Sequence, residues 1–157
     1  MALNVKLVSR SENETIEIGR RLGSILKPPD VVLLMGELGA GKTTFVKGIA
    51  TGMKIQDIVK SPTFTIAREY GVSPRKLYHL DLYRIQVEDF VVIEDYFGSD
   101  GVVVVEWGNE ILPYMTLSYV SINLSYLSVF TRMIDIDVCC KHNECELLRR
   151  VKVAFGR

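Results

Sequence analysis

No apolar run in this chain approaches the roughly 20 residues that cross a membrane as a helix. Met1-Ala2-Leu3-Asn4-Val5-Lys6 also lacks the apolar core of a secretory leader. A cytoplasmic protein with no membrane partner is expected. Neither sign of charge is in excess, since lysine plus arginine and aspartate plus glutamate both number 19. That balance excludes a broad basic field able to hold nucleic acid unaided. Cysteine is confined to Cys139, Cys140 and Cys145, which share one window with His142. The window has no C-x-x-C pair, and adjacent cysteines are awkward to place on one ion. No structural metal is expected there, and the three side chains read as reduced core or surface thiols. Internal repeats, low-complexity tracts and a linker-like change in composition are missing too. With 157 residues and 48% hydrophobic content, residues 1–157 read as a single α/β domain large enough for a proper core.

What is present starts with Gly36-Glu37-Leu38-Gly39-Ala40-Gly41-Lys42-Thr43, which fits G-x-x-x-x-G-K-[ST] at every position. Glycines there let the backbone bring its N–H groups close to phosphate oxygens, Lys42 adds a charge for the outer phosphates, and the Thr43 hydroxyl ligates Mg²⁺. The flanks suit the motif. Val31-Val32-Leu33-Leu34-Met35 reads as a buried parallel strand, and Phe45, Val46, Ile49, Ala50 and Met53 recur at helical spacing. The loop is therefore expected at a helix N-terminus, where free amides and the helix dipole favour an anion. No Asn-Lys-x-Asp follows, so ATP is a better fit than GTP.

Elsewhere, Val5 to Val8 suggests a short opening strand, and Ser11-Glu12-Asn13-Glu14 is a capping box for a helix over about 12–26, ending before Pro28-Pro29. Lys60 to Ile66 reads as a loop passing into an extended segment, paired with a strand over 76–82 through a turn near Gly71 to Pro74. A helix is expected around 87–96, then a buried strand of four valines, Val102 to Val105, with Glu106 at its end. Val120, Ile122 and Leu124, then Ile134, Ile136 and Val138, alternate with polar residues and predict an antiparallel hairpin. A helix over 144–155 closes the chain.

The phosphate loop needs an acid opposite Lys42 to hold Mg²⁺ and orient the attacking group. Glu106, delivered to the carboxyl edge of the sheet by its strand, is one candidate. Asp81 is the other, on one face of a strand with His79 and Tyr83. Thr63, in Ser61-Pro62-Thr63, is a candidate sensor of the γ-phosphate. Trp107 has three roles open to it, near the nucleotide, facing a partner or in the core, and Arg84 and Arg132 are arginines able to reach phosphates. A partner-stimulated ATPase, a small-molecule kinase with Asp81 as base, and an ATP-dependent binding switch all fit these residues.

Four segments together resemble one family. They are Gly36-x-Leu38-Gly39-Ala40-Gly41-Lys42-Thr43-Thr44-Phe45, Lys60-Ser61-Pro62-Thr63-Phe64-Thr65, His79-x-Asp81-x-Tyr83-Arg84 and Val105-Glu106-Trp107-Gly108. In that order they are similar to the bacterial TsaE (YjeE) family, the ATPase component of tRNA threonylcarbamoyladenosine synthesis, from about Ser9 to Val138. The resemblance implies a P-loop NTPase-like three-layer domain with a mixed, largely parallel central sheet and an antiparallel C-terminal hairpin. It implies that Glu37, Leu38, Gly39, Ala40, Gly41, Lys42, Thr43 and Thr44 hold ATP and that Thr43 with Glu106 binds Mg²⁺. It makes Ser61-Pro62-Thr63 the nucleotide-sensing segment, Asp81 a catalytic or water-orienting carboxylate, and Glu12 and Arg132 further nucleotide contacts. The implied partner is a TsaB–TsaD heterodimer, through which alone tRNA would be engaged. Tyr126-Leu127-Ser128-Val129-Phe130 departs from the family pattern, being apolar where a polar hairpin turn is expected; it suggests a contact for another chain.

Overall fold

The computed structural model describes residues 3–62, 66–83, 89–143 and 145–156. Its centre is one seven-stranded sheet in the order β1-β7-β6-β2-β5-β4-β3. The strands are β1 (Leu3–Ser9), β2 (Val31–Gly36), β3 (Ala67–Val72), β4 (Arg75–Asp81), β5 (Val102–Glu106), β6 (Tyr119–Tyr126) and β7 (Arg132–Cys139). Among the described residues four α-helices accompany them: α1 (Glu12–Gly23), α2 (Lys42–Gly52), α3 (Phe90–Glu94) and α4 (Glu146–Phe155). β2, β5, β4 and β6 pair in parallel at the centre. The outer pairings β1–β7, β6–β7 and β3–β4 are antiparallel. The expected C-terminal hairpin is β6–β7, and a largely parallel sheet holds only for the central strands.

Strand alternation sorts the side chains onto two faces. Val32, Leu34, Val104, Ile122 and Leu124 face a core with Leu22, Phe45, Ile49 and Val151 from α1, α2 and α4. Val31, Leu33, Val103, Val105 and Leu80 face a second core closed by Ile93 of α3 and Ile111 and Met115 beyond β5. By the same parity His79, Asp81 and Glu106 lie on the α2 side. The alternation thus aims three polar side chains at one helix N-terminus.

α1 and α2 meet on glycine. A Cβ at Gly48 would stand 2.2 Å from the Ile16 carbonyl oxygen, one at Gly52 2.2 Å from that of Arg20, and one at Gly23 2.2 Å from that of Ile49. The backbones touch with no side chain between them. α1 starts as the capping box predicts, with Ser11 Oγ accepting the Glu14 N–H at 3.1 Å, while the Glu14 carboxylate accepts the N–H of Arg10 at 2.5 Å. It ends at Gly23, three residues short of the expected boundary. On α4, Arg150 grips the Asp30 carboxylate with both terminal nitrogens at 2.6 and 2.9 Å, fixing that helix to the strand entry.

Lys60 lies in the expected loop, held by the Tyr70 hydroxyl at 2.9 and 3.1 Å; residues 63–65 of the expected extended segment lie outside the described residues, and β3 begins at Ala67. Two expectations are corrected. α3 covers Phe90–Glu94 of the predicted 87–96, of which 87 and 88 lie outside the described residues; past Glu94 the chain turns, Ile93 being the one residue of α3 that is fully buried. Cys140 and Cys145 are not free thiols but form a disulfide, the step into α4 bringing their Cα atoms to 5.9 Å; Cys139 stays free. Among the described residues no helix is long and apolar enough to cross a membrane.

Candidate functional site

β2 runs straight into the glycine loop. Gly36, Gly39 and Gly41 have φ of 145°, 80° and 107°, a region that side-chain-bearing residues rarely enter. Gly41 is the N-cap of α2, which has no side-chain cap. The opening amides of such a helix lack intrahelical acceptors and point into the loop, so the loop is built for an anion. Its cation is already inside. Lys42 is 4% exposed, donates to the carbonyls of Gly36 (2.7 Å) and Glu37 (2.9 Å), and lies 4.0 Å above the Trp107 ring. Burial lowers its pKa, with Glu106 and Asp81 pulling the other way.

The structure separates the two acids. Glu106 is 4% exposed. It accepts the Thr43 hydroxyl at 2.9 and 3.1 Å and meets His79 Nε2 at 2.5 Å. A carboxylate only accepts, so His79 carries its proton on Nε2. His79 is fully buried, and its Nδ1 has no partner among the described residues. Asp81 sits beside Glu106 in the β4–β5 register, its Oδ1 accepting the Tyr83 N–H at 3.0 Å. Burial raises the Asp81 pKa, opposed by that backbone bond, and the neighbouring Glu106 charge raises it further.

A raised carboxylate pKa means that the fold binds the proton more tightly than the unfolded chain does, so ionised Asp81 destabilises the fold as pH rises past the ordinary carboxylate value. Asp81 is only half-buried, and solvent limits the penalty to on the order of 1 kcal/mol. Asp81→Asn keeps an acceptor for Tyr83 and is expected to raise the melting temperature by about 2 °C at neutral pH. The gain should vanish as pH falls to about 4. Thermal melts across that range check it, and a pH-independent gain would show that the charge is not responsible.

Two clefts meet at the loop. One, of about 400 Å³, holds Lys42, Thr43, Ser61, Asp81, Glu106 and Trp107 along its walls. The other, of about 450 Å³, lies across Gly39, Gly41 and Thr44 and is walled by Arg10, Glu12, Val129, Phe130 and Arg132. Glu37 and Leu38 are exposed at the rim, and Ala40 is buried beneath. Thr63 and Arg84 lie outside the described residues. Glu12 and Arg132 therefore share the second cleft, away from the acids. The Arg132 guanidinium is heavily engaged: Nε donates to the Ala40 carbonyl at 3.2 Å, and Nη1 to those of Ser128, Val129 and Thr131. It also stacks 4.0 Å over Tyr126.

Sequence reasoning missed the His79–Glu106 bond, which joins residues 27 positions apart through strand register, though the alternation of His79 with Asp81 pointed at the same face. It also left Trp107 among three roles. The indole covers Lys42 and lies 4.9 Å from the Tyr83 ring, at the site. A left-handed backbone at Trp107, φ 60°, turns the ring back over the loop.

The sequence model of one protein family, described as threonylcarbamoyl adenosine biosynthesis protein TsaE, matches residues 9–134. The tRNA threonylcarbamoyladenosine biosynthesis protein TsaE of Bacillus subtilis is 46% identical over 111 residues, 68% of this chain and 70% of that one. The protein of the same name from Treponema pallidum is 40% identical over 136 residues, covering 84% of this chain and 99% of its own. That from Nostoc is 36% identical over 137 residues, 83% and 84% of the two chains. Among solved structures, Bacillus subtilis YdiB superposes with a TM-score of 0.81 at 32% identity, over 98% of this chain and 95% of that one.

Proposed function

This chain belongs to the TsaE family of threonylcarbamoyl adenosine biosynthesis proteins, and from that premise we propose that it is a P-loop NTPase-like protein that binds and hydrolyses ATP for tRNA threonylcarbamoyladenosine formation, acting with a TsaB–TsaD-like heterodimer. The observation that carries this reading is the Thr43–Glu106 pair at the mouth of a glycine loop whose lysine is already drawn in. In the proposal the loop amides and Lys42 hold the β- and γ-phosphates, Lys42 exchanging the carbonyls of Gly36 and Glu37 for phosphate oxygens.

The donor set suits Mg²⁺. A hydroxyl and one carboxylate are hard oxygen ligands, and Mg²⁺ prefers one or two such groups completed by phosphate and water. Thr43 and Glu106 would hold it, and when bound it offsets the charge on the phosphates. His79 fixes the Glu106 carboxylate against rotation by holding Oε2, which also accepts from the Thr43 hydroxyl at 2.9 Å, while Oε1 lies 3.1 Å from the same hydroxyl. Asp81, beside it, orients the attacking water; its burial leaves it poised to accept a hydrogen bond that bulk water would otherwise satisfy. Trp107 over Lys42 keeps solvent from the ammonium.

The described walls of the 400 Å³ cleft include no arginine, so among the described residues much of the charge that stabilises phosphoryl transfer is absent from those walls. Turnover alone is therefore slow. Net charge is zero, which suits tRNA held by the partner. Adding a TsaB–TsaD heterodimer is expected to raise the ATP hydrolysis rate by about a hundredfold, measured as phosphate release. Equal rates with and without the heterodimer would overturn the proposal.

A further inference from the structure

The segment between α2 and β3 is tied to β3 at two adjacent points. Tyr70, 5% exposed, puts one hydroxyl against both backbone groups of Lys60, accepting its N–H at 3.1 Å and donating to its carbonyl at 2.9 Å. Beside it the Gly71 N–H donates to the Asp57 carboxylate at 2.8 Å. A single partner satisfies a buried hydroxyl, whereas donor and acceptor spent on one residue fix that residue in two directions. Ser61, the next residue along, stands in the wall of the 400 Å³ cleft with Lys42, Thr43, Asp81 and Glu106. The held peptide group is thus one step from the site.

Tyr70 also shares its footing with the metal-side acid. Arg68 pairs with His79 and Tyr70 with Leu77 in the β3–β4 register, so strand alternation puts Tyr70 and His79 on one face, their ring centroids 6.1 Å apart. His79 in turn holds Glu106. One pair of neighbouring rings therefore places both the Lys60 backbone and the Glu106 carboxylate.

We propose that Tyr70 is a positioning residue for ATP hydrolysis, its hydroxyl setting where Ser61 stands in the cleft wall, on the side where Asp81 and Glu106 act. The inference rests on the ATPase reading of that cleft. In that reading the phosphates are gripped by the loop amides and Lys42, so the hold on Lys60 governs turnover and not affinity. A wall displaced by about 1 Å admits water and spoils the alignment of the attacking group.

Tyr70→Phe keeps the ring in the core and removes only the hydroxyl. With the heterodimer present it is expected to lower kcat about tenfold, while ATP affinity by calorimetry stays at the parent value and the Lys60 amide loses protection against hydrogen exchange. Asp57→Ala breaks the neighbouring tie, farther along the chain from the cleft wall, and is expected to cost stability with kcat unchanged. Parent-like kcat in Tyr70→Phe would overturn the proposal. An equal fall of kcat in Asp57→Ala would overturn it too, since general loosening of the segment would then suffice, and so would a Lys60 amide that exchanges equally fast in the parent and in Tyr70→Phe. A parent protein that releases no phosphate from ATP refutes the ATPase reading and the role of Tyr70 with it, whereas an active parent beside an equally active Tyr70→Phe refutes the role of Tyr70 alone.

Discussion

Replacing Glu106 with Gln is expected to leave ATP binding within a few-fold of the parent protein and to lower turnover by about a hundredfold or more. The side chains have the same shape, so packing at the end of β5 is kept. The amide oxygen still accepts from His79 Nε2 or from Thr43, and the amide nitrogen donates to the other partner once its proton is rearranged. What disappears is the negative charge. Glu106 is 4% exposed and lies between Thr43 and His79, so no other carboxylate occupies its place, and Asp81 is committed to the Tyr83 amide one strand away. The phosphate grip, made by loop amides and Lys42, does not depend on that charge. Phosphate release in the presence of the heterodimer, set beside calorimetric ATP affinity, measures both halves. The Mg²⁺ concentration for half-maximal rate should rise in the same variant. Parent-like turnover would remove Glu106 from the chemistry and move the role to Asp81.

Gly48→Val is expected to lower the melting temperature by more than about 10 °C, the equivalent of about 4 kcal/mol in a domain of this size. In an exposed helix, exchanging glycine for a residue with a side chain is mildly stabilising or costs little. Here the sign reverses. A single Cβ would stand 2.2 Å from the Ile16 carbonyl oxygen and 2.9 Å from the Gly19 Cα, so α1 must move outward before any further atom is placed. The helix cannot yield cheaply, because Phe45, Val46 and Ile49 on α2 and Ile18 and Leu22 on α1 are packed against the same core. Thermal unfolding followed by circular dichroism tests this; a shift under 3 °C would show that the seam is looser than its geometry. Since α2 begins at Lys42, the same variant should also lose ATP affinity.

The strongest signals in the sequence were those with a single physical cause. Four valines followed by a glutamate have few homes other than a buried strand with a carboxylate at its edge, and Gly-x-Gly-Lys-Thr after an apolar run has few besides a loop ahead of a helix. Features that depend on two distant segments stayed out of reach. The bond between His79 and Glu106 exists only because β4 and β5 adopt one register, and the Cys140–Cys145 bridge only because the chain turns into α4 there. Arg132 was singled out as an arginine able to reach phosphates, yet its guanidinium is spent on carbonyls of the turn and the glycine loop, which no single-residue reasoning reveals. The glycine seam was written in the sequence as two pairs spaced by four, Gly19 with Gly23 and Gly48 with Gly52, but spacing alone does not say that the two stripes face each other. Thr63 belongs to a segment outside the described residues, and its sensing role stays a proposal.

The sheet order carries a consequence for how this protein is made. β1 is synthesised before every other strand described, and its neighbour β7 pairs Leu3 with Val138. At about 5–20 residues per second, the first strand waits on the order of ten seconds for a partner to be synthesised. Through that interval the apolar side chains of β1 lack the strand that will pair beside them. The molecule closes from its far end, and its early life depends on whatever shelters an unpaired edge until then.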